Sequence, residues 1–273
     1  MRLRPYRAIL SARFRMLLQY RAAAIAGVWT QVFFGLVLIM VYEAFYGAAT
    51  PELRPMTLAQ VVSYVWLGQA LLAMLPWNAD AEVRAMVRSG AVAYELCRPV
   101  DLYSLWFARA VALRTAPTVL RAAPLAVFAI IVLPLIGLPE WQLQPPSLRG
   151  GVGFACALVG ALALSCAITT LINISLLWTL SGDGVVMIAT TAVAFCSGLV
   201  IPLPLFPDWA QPVLGWLPFA GIADLPFRVY NGDIPSSDLP LVLARQLGWT
   251  IVLVALGRRL LANGMRRLVV QGG

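Results

Sequence analysis

Along this chain, apolar stretches long enough to cross a bilayer alternate with blocks of arginine. All 20 basic residues are Arg, and all but Arg54, Arg149, Arg228 and Arg245 fall in three blocks: Arg2 to Arg21, Arg84 to Arg121, and Arg258 to Arg267. Cytoplasmic flanks of transmembrane helices collect Lys and Arg, so the blocks predict an orientation as well as a class. The expectation is an all-α polytopic membrane protein with both termini cytoplasmic. The acidic residues agree, since Glu43, Glu52, Glu140, Asp208, Asp224, Asp233 and Asp238 all fall on the far side of that arrangement.

Composition leaves little room for a soluble domain. The chain is 61% hydrophobic and 12% charged, whereas a soluble domain is about 45–50% apolar and about 25% charged. A net charge of +8 would suggest nucleic acid in a soluble protein. Here the excess reads as charge facing anionic membrane lipid, so lipid is an expected partner and nucleic acid is not. The first span is too long for a signal-peptide core, which predicts that it is retained.

Several chemistries are excluded by what is missing. There is no His, which removes the commonest general base and metal ligand. There is no Lys either, so no phosphate-cradling loop ending in Lys exists, and the chain is not its own ATPase. Cys97, Cys156, Cys166 and Cys196 show no metal-ligand spacing, and neither spans nor cytoplasm favour disulfides. The chain is therefore read as no enzyme, with no cofactor or metal of its own. No acidic relay lies deep in the spans, which weakens a proton-coupled transporter.

Six transmembrane helices are expected. Residues 1–20 place Leu3, Tyr6, Leu10, Phe14 and Leu17 on one helical face, flanked by Arg4, Arg7 and Arg15. They read as an interfacial amphipathic helix, or else as a plain positive flank of the first span. Spans follow at 22–46, 58–77, 101–137, 151–178, 185–201 and 241–262. A polar, helix-prone stretch, 81–98, lies between the second and third. Pro99 bars helical geometry at Arg98 and closes it, and Asp101 is placed to cap the next helix. Ser181-Gly182-Asp183-Gly184 reads as a tight inner turn. The region 202–240 holds eight prolines around an apolar middle (Trp209, Trp216, Phe219). Too broken to span and too apolar for water, it reads as a re-entrant or interfacial outer region.

Two stripes of small residues stand out. In the fourth span Gly153, Ala157, Ala161, Ser165, Thr169 and Asn173 recur every four residues, which suits tight helix packing or the lining of a path. The first span repeats the pattern with Ala23, Gly27, Gln31 and Gly35. Gln31 near mid-membrane needs a partner or a cavity, so internal packing, a subunit interface and a substrate path all remain open. Phe33, Phe34 and Trp66 offer flat apolar faces suited to a greasy or cationic ligand, with core packing as the alternative.

These parts in this order resemble the permease subunit of ABC-2-type exporters. Tyr94-Glu95-Leu96-Cys97-Arg98-Pro99-Val100-Asp101 is similar to that family's stretch after the coupling helix. Pro202-Leu203-Pro204-Leu205-Phe206-Pro207-Asp208-Trp209, with Trp216-Leu217-Pro218-Phe219, resembles the viologen-exporter branch. The resemblance implies a single permease domain, residues 1–273, in a bacterial cytoplasmic membrane. It would pair with a second copy or a homologous permease and stand on two ABC ATPase subunits that bind ATP and Mg. Glu82, Arg84, Arg88 and Glu95 are then the ATPase-coupling contacts. Gln31, Phe33, Phe34 and Trp66 are candidates for a path between two copies, lined by the first, second and fifth spans. The cargo would be amphipathic or hydrophobic, with cations in scope. The competing readings are a non-transporting assembly subunit and a permease for lipid-linked or glycan cargo.

Overall fold

The computed structural model describes residues 4–48, 50, 54–179 and 183–266. Residues 1–3 of the N-terminal stretch, Ser181 and Gly182 of the expected inner turn, and Arg267 lie outside them. Among the described residues the chain is helical and forms no strand.

An amphipathic α1 (Arg4–Leu17), none of whose residues is buried, leads into α2 (Arg21–Ala48). α3 (Leu58–Ala70) starts at a capping box: the Gln60 N–H donates to Thr57 Oγ1 at 3.2 Å, and the Thr57 N–H donates to Gln60 Oε1 at 2.8 Å. It unwinds through a 3₁₀ turn, Leu72–Met74, into extended backbone. The stretch expected as one helix over 81–98 is two, α4 (Ala81–Ser89) and α5 (Val92–Leu96). Gly90 divides them at φ 73°, a left-handed conformation that costs Gly little.

Asp101 caps α6 (Leu102–Val127) as expected, accepting from the Ser104 N–H at 2.9 Å. α6 tolerates Pro117 and Pro124, passes through a π turn, Phe128–Val132, and ends in α7 (Leu133–Leu135). α8 (Leu148–Ser175) is capped by Ser147. α9 (Asp183–Cys196), α10 (Ala210–Trp216), α11 (Asp224–Tyr230) and α12 (Leu239–Met265) complete the order.

Among the described residues four helices are long and apolar enough to cross a membrane: Arg21–Ala48, Leu102–Leu135, Leu148–Ser175 and Ser236–Met265. The second and fifth expected spans form helices of 13 and 14 residues, about 20 Å each at 1.5 Å per residue, short of a roughly 30 Å core. α3 is buried all round from Val61 to Gln69, as an evenly apolar helix should be. It sits against α2 and α6, and α6 in turn packs on α8, and α8 on α12.

Two large apolar cores and a smaller one of Ala157, Leu225, Val229 and Val242 form among the described residues. One large core joins Val32, Ile39, Trp66, Leu125, Leu133 and Phe227; the other, at the arginine-rich end, joins Leu75, Val83, Trp106, Leu164, Ile172 and Leu261. Within 202–240, α11 is buried against α8 while Trp209 and Trp216 beside α10 are exposed.

Candidate functional site

Where α3 unwinds, backbone carbonyls lose their helical partners at depth in the bundle, and such groups must be satisfied by protein. Arg114, 3% exposed, does this from α6. Its guanidinium donates to the Leu75 carbonyl at 2.7 Å, the Asn78 carbonyl at 2.8 Å and Thr169 Oγ1 at 3.0 Å. The small-residue stripe of α8 completes the support. Ser165 Oγ donates to the Met74 carbonyl, and the Asp80 N–H donates to Asn173 Oδ1 at 2.8 Å. Every residue of that stripe is buried. Its small side chains admit close neighbours and its polar ones hold an irregular segment, so the packing reading of the stripe is the correct one.

Beyond that clamp Asp80, 1% exposed, caps α4 through the Glu82 N–H at 3.0 Å. It is also the centre of an ion-pair lattice. Arg13 of α1 donates to both Asp80 carboxylate oxygens at 2.8 and 2.9 Å and pairs with Glu82. Arg109 of α6 reaches Glu82 Oε2 at 2.6 Å and Glu95 Oε1 at 3.0 Å, with its Nε 3.5 Å from Asp80. Trp106 Nε1 donates to the other Glu95 oxygen at 2.9 Å. Arg84 of α4 meets Asp183, the first residue of α9, at 2.7 Å. Charged hydrogen bonds therefore tie α4 and α5 to α1, α6 and α9.

This lattice sorts the expected coupling residues. Arg88 is exposed on α4 and remains available to a partner. Glu82 and Arg84 each spend their charge on an internal pair. Glu95 is 4% exposed and faces Arg109 and Trp106, so it holds α5 to α6 and is not a surface contact as expected. A carboxylate buried without partners would be costly, and Arg109 is what makes its burial tolerable. The surface of α5 instead presents Tyr94 at 76% exposure and Leu96.

The expected path residues do not come together. Gln31 lies on the buried stripe of α2 between Gly27, which receives the Arg121 guanidinium, and Gly35, which receives Trp66. Neither Gln31 amide atom has a hydrogen-bond partner among the described residues. Phe33 and Phe34, a T-shaped pair with centroids 5.5 Å apart, are exposed. Trp66 is fully buried, donating to the Trp141 carbonyl at 2.7 Å and packing edge-on to Phe128. Trp66 and the enclosed α3 around it are thus core, and the second span does not face a neighbouring copy as expected.

A second buried cluster lies at the far end. Asp224 starts α11 and accepts from Tyr64 Oη at 3.1 Å and the Leu203 N–H at 3.3 Å, with Arg228 at 3.7 Å. The Asp224 N–H donates to the Ser197 carbonyl at 3.0 Å. These bonds fasten the proline-rich region to α3 and to the end of α9.

Sequence reasoning missed Arg13, Asp80, Arg109 and Arg114 as a set. The arginines were absorbed into the general charge asymmetry, and their only individual signal is helical spacing. Arg109 and Arg114 sit five residues, about 1.4 turns, apart on a mostly apolar helix, far enough in to need partners.

A family model described as "ABC-2 family transporter protein" matches residues 30–272. Among curated proteins none matches the chain.

Proposed function

Because the chain belongs to the ABC-2 transporter family, with the match running over most of its length, we propose that it is the permease subunit of an ATP-driven exporter. In this reading it lies in a bacterial cytoplasmic membrane with both termini inside. Two copies, or one copy with a homologous permease, stand on two separate ABC ATPase subunits that bind ATP and Mg. The cargo is amphipathic or hydrophobic, and cations are within its range.

One observation carries the mechanism: the ion-pair lattice that ties α4 to three other elements at the arginine-rich end. A helix that merely capped a loop would not need buried carboxylates held by arginines from α1 and α6. A helix that receives force does, because charged hydrogen bonds have a fixed register and resist sliding. The ATPases, closing on ATP, push on the exposed surface of α4 and α5. Arg13 carries the displacement to α1, Arg109 to α6 and Arg84 to α9. Gly90 lets α4 and α5 differ in tilt. The exposed apolar face of α2, with Trp29, Phe33 and Phe34, and that of α9, with Met187, Ile188 and Phe195, supply the surfaces for a second copy and for cargo between the copies.

Arg88→Glu tests this. A reversed charge at a docked contact costs about 2–5 kcal/mol, so the variant should lose ATPase co-purification or export while its melting temperature stays that of the wild type. Normal assembly and export would remove α4 from the docking surface.

A further inference from the structure

At the arginine-rich end, a groove of about 430 Å³ opens between α1, α6 and α12, within the roughly 300–1,000 Å³ of ordinary ligand sites. Its walls are polarised from one end to the other. Phe107 and Val111 climb α6 away from its capped start, and Val254 stands one turn inward from Arg258 on α12. Arg7 and Arg258 flank the opposite end, beside Ser104. An apolar slot with cations at the mouth matches an acyl chain below an anionic headgroup.

Polar details at the mouth fit the same occupant. Arg7 is exposed and makes no hydrogen bond or ion pair among the described residues. Arg258 is held over the Tyr103 ring, 5.1 Å from its centroid, and reaches Asp101 and Ser104 only at 3.3 Å. Tyr103 is 3% exposed, yet its hydroxyl has no partner among the described residues. α1 itself is amphipathic, the pattern of a helix that lies among headgroups, and is pinned to α6 by the Asp101 N–H donating to Tyr6 Oη at 2.9 Å.

We infer that this groove is a specific seat for an anionic phospholipid of the leaflet at the arginine-rich end, with one acyl chain between α1, α6 and α12 and its phosphate between Arg7 and Arg258. The occupant would fill the space beneath α1, the helix that Arg13 ties to α4. The lipid would then set how firmly α1 follows that helix. This seat does not depend on the cargo or on the ATPase partner, so its test stands apart from theirs.

Native mass spectrometry of the detergent-purified full chain decides it, using phosphatidylglycerol, phosphatidylcholine of the same chains, and glycerophosphoglycerol as a headgroup without chains. Phosphatidylglycerol should be retained over phosphatidylcholine, and the chainless headgroup should not bind. Arg7→Gln, at an exposed residue with no protein partner, should lower phosphatidylglycerol retention about five-fold, the scale of one arginine at an anionic surface. Ala108→Trp should block the slot without changing charge; Leu10→Trp closes it from the surface helix should the first variant not fold. Arg149→Gln, at the far end, should change nothing. Equal retention of the two lipids, binding of the bare headgroup, or undiminished retention in the slot-filling variant would each overturn the assignment.

Discussion

Replacing Arg109 by Met should destabilise the protein far more than replacing Glu95 by Gln, although the two residues bond each other at 3.0 Å. Two guanidiniums, from Arg13 and Arg109, face the carboxylates of Asp80, Glu82 and Glu95, so the cluster carries one surplus negative charge. Glu95→Gln brings it to balance and keeps one of the two acceptor oxygens, losing a single hydrogen bond where its NH2 meets Arg109 or Trp106 Nε1 but stranding no charge. Arg109→Met leaves three carboxylates to one cation, and Glu95, buried at 4% exposure, keeps only the Trp106 indole. Removing one partner of a buried pair costs about 3–5 kcal/mol, chiefly through the charge left behind. For a chain of this size 1 kcal/mol moves a melting temperature by about 2–4 °C, so a fall on the order of 10 °C is expected. The double variant Arg109→Met with Glu95→Gln returns to one surplus charge and should recover at least half of that loss. Thermal unfolding in detergent at one fixed scan rate measures all four proteins. An Arg109→Met protein melting within about 2 °C of wild type, or a Glu95→Gln protein that melts as low, would refute the charge argument.

The enclosed and exposed aromatics should behave oppositely. Trp66→Ala should cost about 3–5 kcal/mol through the cavity it leaves, whereas Phe34→Ala should spare the melting temperature and reduce substrate-stimulated ATPase activity of the reconstituted complex; matching losses in both would make Phe34 core. Gly35→Ala places a Cβ 2.8 Å from Trp66 Cζ3, so an overpacking cost of about 1–3 kcal/mol should appear as a lower melting temperature, and an unchanged one would mean that α2 and α3 can separate. In a cysteine-free background, Asn231→Cys should react with an impermeant thiol reagent in intact cells while Met265→Cys does not. The reverse pattern would invert the proposed topology.

Much of this fold was legible in the chain because the strongest signals are long and repetitive. Arginine blocks and apolar runs give the helices α2, α6, α8 and α12 directly, and the caps at Asp101 and the break at Pro99 are local chemistry that tertiary context leaves alone. The division at Gly90 was less visible, since the residues on both sides are helix formers and the left-handed turn needs only one Gly. The enclosure of α3 was missed for a different reason. Its even hydrophobicity suits a lipid-facing helix and a buried one equally, and only the partners around Val61 to Gln69 tell them apart. At the site, the segment after α3 could be marked as polar and helical from its residues. Which charges face inward could not, because Arg13, Asp80, Arg109 and Asn173 are brought together from four separate stretches of sequence.

The choice of ions for that junction bears on what it can transmit. A buried ion pair adds little net stability, and well-packed apolar residues of similar volume often do as well or better. An apolar contact, however, is non-directional and permits neighbouring helices to slide. Asp80 receives Arg13 through both carboxylate oxygens, and Arg109 reaches all three carboxylates from one guanidinium. Movement of α4 relative to α1 or α6 by even a few ångströms would break several of these bonds at once, and although Glu82 is open to water, Asp80 is too buried for water to replace its partners. The Arg84–Asp183 pair differs, with side chains 28% and 62% exposed, and an exposed pair is worth only about 0–1 kcal/mol. The junction is therefore stiff toward α1 and α6 and compliant toward α9. In the mechanism we propose, a push on α4 would move the first two with it as a block, while α9, a short helix with an exposed apolar face, would take a new position against that block.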